Sequence, residues 1–165
     1  MTVHHGSTYP PGTGIYRPCV GIVLMNNQGE VFIGERIDHP GAWQMPQGGI
    51  DPGEDLQTAF FRELWEETGV RDADIVGSYP EPIRYDFPPA KRSRLYNGAY
   101  DGQEQTWVGA IHRGDDKDII LTNHNPPEFR AWRWCTPLEL LDIIVPFKRH
   151  TYERVLVHFK PYLLK

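Results

Sequence analysis

Between Gly48 and Val70 the chain places six acids, Asp51, Glu54, Asp55, Glu63, Glu66 and Glu67, against one base, Arg62. The full sequence of 165 residues holds 22 Asp and Glu against 17 Lys and Arg, a formal charge of -5 at pH 7. The whole negative excess therefore sits in this stretch, and the rest of the chain balances. Clustered carboxylates repel one another unless solvent, bases or a bound cation offset them. On a helix, at 100° per residue, Glu63, Glu66 and Glu67 share an arc of about 100°, while Phe60, Phe61 and Leu64 point to a different side. Hard divalent ions such as Mg²⁺ take oxygen ligands and keep several waters, so convergent carboxylates plus substrate phosphate oxygens would suit one. Arg62, four residues before Glu66, is placed to orient a carboxylate. On composition alone, an acidic and merely solvated helix face is the plainer alternative.

The elements that must position these residues follow from local signals. Asp55 is a candidate N-cap, Leu56 to Thr68 lacks Gly and Pro, and Gly69 stands where a left-handed residue would end a helix. The preceding connection, Pro40 to Gly53, is rich in Pro and Gly and is expected to be irregular around a short strand near Trp43 to Met45. Upstream, Arg17 to Met25 and Glu30 to Arg36 read as two strands of an antiparallel hairpin about an NNQG turn. Further strands are expected at Ile75 to Tyr79, Ile83 to Phe87, Thr106 to His112 and Phe129 to Trp134. A capping box at Thr136 to Glu139 opens a short helix, and a last helix is expected from about Lys148 to Phe159. This order predicts one α/β domain with a mixed sheet covered by helices. The domain is expected over residues 15–165, behind a loose tail at 1–14 that holds His4 and His5.

Composition narrows the classes. Apolar residues make up 39% and charged residues 24%, ordinary for a globular chain rather than a disordered or fibrous one. The longest apolar stretch, Cys19 to Met25, is far short of the ~20 residues that span a bilayer, so no membrane partner is expected. Cys19 and Cys135, the only cysteines, fit a reduced, cytoplasmic protein and are read as packing residues.

Spacing then singles out a family. From Gly48 the segment runs Gly, five residues, Glu, seven residues, Arg-Glu, an aliphatic, one residue, Glu-Glu, one residue, Gly, an aliphatic. This resembles the Nudix box, with Gly48, Glu54, Arg62, Glu63, Leu64, Glu66, Glu67, Gly69 and Val70 at every defined position; an accidental match is on the order of 10⁻⁸. The resemblance implies a Nudix-type α/β/α sandwich that hydrolyses nucleoside diphosphates linked to another moiety, with Mg²⁺ or Mn²⁺ on the box helix. By position, Glu63, Glu66 and Glu67 would be metal carboxylates, and Gly48, Glu54, Arg62 and Gly69 would shape the box. Glu63 and Glu128 are the candidates for the base that takes the proton of water.

Beyond the box, YRPCVGI from Tyr16, AWQMPQGGID from Ala42, PEFRAWRW from Pro127 and VPFKRHTY from Val145 resemble the branch that contains bacterial RNA pyrophosphohydrolase and plant-type diadenosine tetraphosphate hydrolase. That resemblance implies Glu128 as a further metal ligand and Tyr85 and Phe147 as base-stacking partners. Arg17, Arg36, Lys91 and Lys148 are candidate phosphate contacts, with Arg92, Arg94 and Arg149 close by in sequence. Thr106 departs from the usual lysine of relatives. The expected substrates are 5′-triphosphorylated RNA ends or dinucleoside polyphosphates; the alternatives are a house-cleaning nucleotide or nucleotide-sugar pyrophosphatase and a non-catalytic nucleotide sensor. With the charge outside the box balanced, the grip is expected on a 5′ end and not along a DNA duplex. The sequence designates no protein partner.

Overall fold

A computed structural model describes residues 12–164. The elements run β1 (Tyr16–Met25), β2 (Val31–Arg36), β3 (Trp43–Gln44), β4 (Gln47–Gly49), α1 (Leu56–Thr68), β5 (Asp74–Ser78), β6 (Ile83–Asp86), α2 (Pro89–Arg92), β7 (Gly102–Ile111), β8 (Phe129–Cys135), α3 (Pro137–Ile143) and α4 (Pro146–His158). All eight strands belong to one mixed sheet, whose central path is β3-β2-β1-β7-β5; β4 pairs with β1, β6 with β7 and β8 with β2. The expected α/β class holds.

β1 is the axis of the sheet. It is buried without interruption from Cys19 to Met25, as a strand covered on both faces must be. Strand alternation sends Val20, Ile22 and Leu24 toward Phe60, Leu64 and the rest of the α1 side. Val23 and Met25 go the other way, into a second core with Trp107, Tyr152, Val155 and Phe159. Helices thus cover both faces, α1 on one and α3 with α4 on the other.

The expected hairpin forms only at its mouth. Met25 pairs with Val31 across the turn, and then the strands part. Cys19, Val20 and Gly21 are taken by Gly49, Gly48 and Gln47 of β4, and Ile22 donates to the Pro46 carbonyl at 2.9 Å. β2 takes β3 on that side, at Gly34↔Gln44 and Glu35↔Trp43, and pairs with β8 along its far edge, from Val31↔Cys135 to Arg36↔Phe129. The wedge between β1 and β2 holds β4, and it delivers the Gly48–Gly49 pair to the start of α1. On its other edge β1 runs parallel to β7 over ten residues, Tyr16↔Gly102 to Met25↔Ile111.

Two further expectations need adjusting. Thr136 caps α3 by accepting from the Glu139 amide at 3.3 Å, but the Glu139 carboxylate pairs with Arg133 at 2.6 Å, so the capping box is half made. The expected tail lies mainly outside the described residues, as do His4 and His5; where description begins, the amides of Thr13 and Gly14 both donate to Asp101 at 2.6 Å. No helix among the described residues is long and apolar enough to cross a membrane.

Candidate active site

The acidic segment folds as its local signals require. Asp55 accepts from the Thr58 amide at 2.7 Å. Gly69 ends α1 at φ 80° with its N–H on the Trp65 carbonyl, a conformation open to glycine. Ala59, Phe60 and Leu64 anchor the helix in the core, which turns Glu63, Glu66 and Glu67 toward a cavity of about 350 Å³. Arg17, Gly48, Gly49, Arg62 and Glu128 share its lining.

Arg62 ties the loop to the helix. Its Nε and Nη2 donate to the two Glu54 oxygens at 2.8 Å each, and Nη2 also reaches the Gly49 carbonyl at 2.8 Å. Nη1 donates to Glu63 at 2.8 Å and to Glu66 at 3.5 Å. The fork of a guanidinium suits such multidentate bracing. Glu54 further accepts from the Asp51 amide; Arg62 and that amide together hold its pKa down at about 2. Gly48 leaves the space that the Glu63 carboxyl fills, since a Cβ there would fall on it, and Gly49 likewise makes room for the Arg17 guanidinium.

The carboxyls facing the cavity shift the opposite way. Burial raises the pKa of Glu63 in spite of Arg62. Glu67 is raised well above its ordinary range, first by burial and then by the charges of Glu63 and Glu128, although the Gln47 backbone amide works against this. Its Oε2 is buried without a hydrogen-bond partner. Glu128 sits at the rim, exposed on its outer side, and partial desolvation raises it too. The β2–β8 pairing fixes its place, with the Ile37 amide on the Glu128 carbonyl at 3.0 Å. A buried, unpartnered carboxylate oxygen among like charges is electrostatically incomplete, and an oxygen-seeking divalent cation completes it. The residues fit such an ion. As the side chains stand, Arg62 occupies Glu63 and Glu66, and among the described residues no three acidic, His or Cys side chains meet at a single ligand point.

The expected substrate contacts fall in different places. Tyr85 and Phe147 are neighbours, with ring centroids 6.1 Å apart and planes at 51°; Phe147, at the start of α4, is 61% exposed and open to a stacking partner. Lys148 Nζ donates to Gln44 at 3.0 Å, and burial lowers its pKa to about 8. Arg36 is engaged by Asp38 through two hydrogen bonds of 2.9 and 2.7 Å and contributes to the field at Glu128. Arg17 lies on the cavity wall, its guanidinium 4.4 Å from the centroid of the Tyr96 ring. Lys91 is exposed on α2 and outside the cavity lining.

Gln47, Tyr96, Gln103 and His124 also line the cavity, and sequence reasoning passed over all four. A signal existed for Gln103. Gln103, Gln105 and Trp107 alternate along β7 and are all buried, and amides at core positions of a strand call for an explanation. Tyr96, in an irregular loop with φ 51°, offered none.

Comparison with known proteins agrees with this architecture. The profile of the NUDIX domain matches residues 15–155. An RNA pyrophosphohydrolase of Erythrobacter litoralis is 52% identical over 149 residues, covering 88% of this chain and 91% of the relative. One from Cereibacter sphaeroides is 49% identical over 160 residues, covering 94% and 98%. Among solved structures, the dihydroneopterin triphosphate pyrophosphohydrolase of E. coli superposes with a TM-score of 0.69 at 18% identity, over 87% of this chain and 99% of that one. A C. elegans Ap4A hydrolase binary complex gives 0.64 at 20%, over 88% and 98%; at these identities the likeness is one of fold. The length and identity of the sequence matches, together with the complete box on α1, establish that this chain belongs to the Nudix hydrolase family.

Proposed function

We propose that the chain is a cytoplasmic, divalent-cation-dependent pyrophosphohydrolase that removes phosphate or pyrophosphate from 5′-triphosphorylated RNA ends, with dinucleoside polyphosphates as further substrates. The observation that carries the reading is one cavity lined by Glu63, Glu66, Glu67 and Glu128, beside the half-buried Tyr85 and its exposed neighbour Phe147. The names of the relatives favour an RNA end. Two buried free thiols are consistent with a reducing compartment.

In this reading Glu63, Glu66, Glu67 and Glu128 would hold Mg²⁺, with Mn²⁺ as a substitute; when bound, the ion would offset phosphate charge and acidify a water for attack. Tyr85 and Phe147 hold the terminal base by their faces. Arg17, Lys148 and Arg36 supply donors to the phosphates, and Lys91 adds only remote positive charge. Glu63 or Glu128, each with a raised pKa, takes the proton of the attacking water at a carboxylate oxygen. Glu54 and Arg62 hold the loop so that Gly48 and Gly49 stay against the helix. Turnover of a 5′-triphosphorylated oligonucleotide and of diadenosine tetraphosphate, compared at equal Mg²⁺ with products separated by chromatography, tests the proposal. The RNA end is expected to turn over faster; hydrolysis of neither by folded protein would overturn it.

A further inference from the structure

Two hydrogen bonds order the side-chain amides beside the carboxylate cavity. Gln105 Nε2 donates to Gln47 Oε1. A tyrosine hydroxyl has one proton to give. Tyr85 gives that proton to Gln103 Oε1, at 2.6 Å. The amide of Gln103 is thereby oriented, because an amide that offers its oxygen on one side must present its NH₂ on the other.

Gln103 is only 5% exposed, yet it lines the cavity with Glu63, Glu67 and Glu128. Among the described residues its Nε2 makes no hydrogen bond. Position is enforced from both sides, since Gln103 sits directly opposite Tyr85 in the β6–β7 pairing and opposite Arg17 in the β1–β7 pairing.

We propose that the Gln103 side-chain NH₂ is a phosphate-binding donor of the active site, and that the Tyr85 hydroxyl is the positioning group that aims it. The proposal rests on the functional reading above and deepens it. One residue then serves two parts of the substrate: the Tyr85 ring faces the base, and its hydroxyl sets the donor for a non-bridging phosphate oxygen. Base recognition and phosphate positioning are coupled through a single side chain.

The test is a set of variants assayed on 5′-triphosphorylated RNA, with thermal melting to confirm folding. Gln103→Leu removes both the acceptor and the donor; kcat/KM is expected to fall at least tenfold. Gln103→Glu keeps the acceptor for Tyr85 but gives nothing to a phosphate, so it is expected to fall at least as far. Tyr85→Phe keeps the ring and frees the amide, with an expected loss of several-fold, mainly in kcat; in the Gln103→Leu background the same change is expected to cost less than twofold. Wild-type kinetics in Gln103→Glu, or a Tyr85→Phe effect equally large in both backgrounds, would overturn the proposal. Binding of inorganic tripolyphosphate by calorimetry, which needs no turnover, separates the two readings. Binding weakened at least fivefold in both Gln103 variants, by a protein that cleaves no RNA, would overturn the function and retain the subsite. Unweakened binding would overturn the subsite alone.

Discussion

Glu67 carries a buried carboxyl with one unpartnered oxygen, its pKa held well above the ordinary range by burial and by Glu63 and Glu128. Such a group costs stability when charged. Glu67→Gln is therefore expected to lower turnover about 100-fold or more while leaving the melting temperature of the metal-free protein at pH 7 unchanged or higher. The pH dependence has a definite sign. Glu63, Glu67 and Glu128 all have native pKa values above the ordinary 4.5, so above that pH the native state holds protons that the unfolded chain has released. Their contribution is most favourable below pH 4.5 and is lost as pH rises through the native values. Glu54, held at about 2, contributes oppositely: its stabilisation is present above 4.5 and lost as pH falls toward 2. Melting of metal-free wild type and Glu67→Gln between pH 4 and 9 should show the wild type losing ground to the variant as pH rises. A constant difference between the two would contradict the assignment. Gly48→Ala places a methyl where the Glu63 carboxyl lies, and activity is expected to fall at least tenfold without loss of fold, as circular dichroism and steady-state rates would show.

The box works as a loop and helix joined by Arg62. Arg62→Lys retains a charge but loses the fork that grips Glu54 at two points, so amide exchange across Asp51 to Glu54 should quicken and kcat should fall. Exchange indistinguishable from wild type would show that the loop stands without the fork. The N-cap is a separate quantity: Asp55→Ala removes the acceptor of the Thr58 amide and is expected to lower the midpoint of denaturant unfolding. Helix α1 was legible to the residue because its start, periodicity and stop are all local. β4 was not, since Gln47–Gly49 is three residues of low strand propensity that become a strand only because β1 offers an edge. The same pairing explains why the expected hairpin opens after Met25. The parallel β1–β7 ladder joins segments far apart in sequence, which no local pattern announces.

At the scale of the molecule the charge of -5 is concentrated where a cation is expected to offset it, leaving the rest of the chain balanced, with no net positive excess to follow an RNA strand. KM for triphosphorylated RNA should then change little between a short and a long oligonucleotide. Its salt dependence should reflect only the terminal phosphates, with a log–log slope of roughly -2 at about -0.7 per phosphate; a much steeper slope would indicate contacts along the strand. Site residues were legible where chemistry concentrates them in one segment, as in Glu63, Glu66 and Glu67. They were hidden where the fold assembles them from distant strands and loops, as in Gln47, Tyr96 and Gln103. The most direct test of the account is release of phosphate or pyrophosphate from a 5′-triphosphorylated oligonucleotide as Mg²⁺ is titrated, with wild type and Glu67→Gln side by side. The account predicts turnover that rises from near zero with Mg²⁺ in the wild type and is lost in the variant. Equal turnover by the two proteins, or none from folded wild type at saturating Mg²⁺, would contradict it.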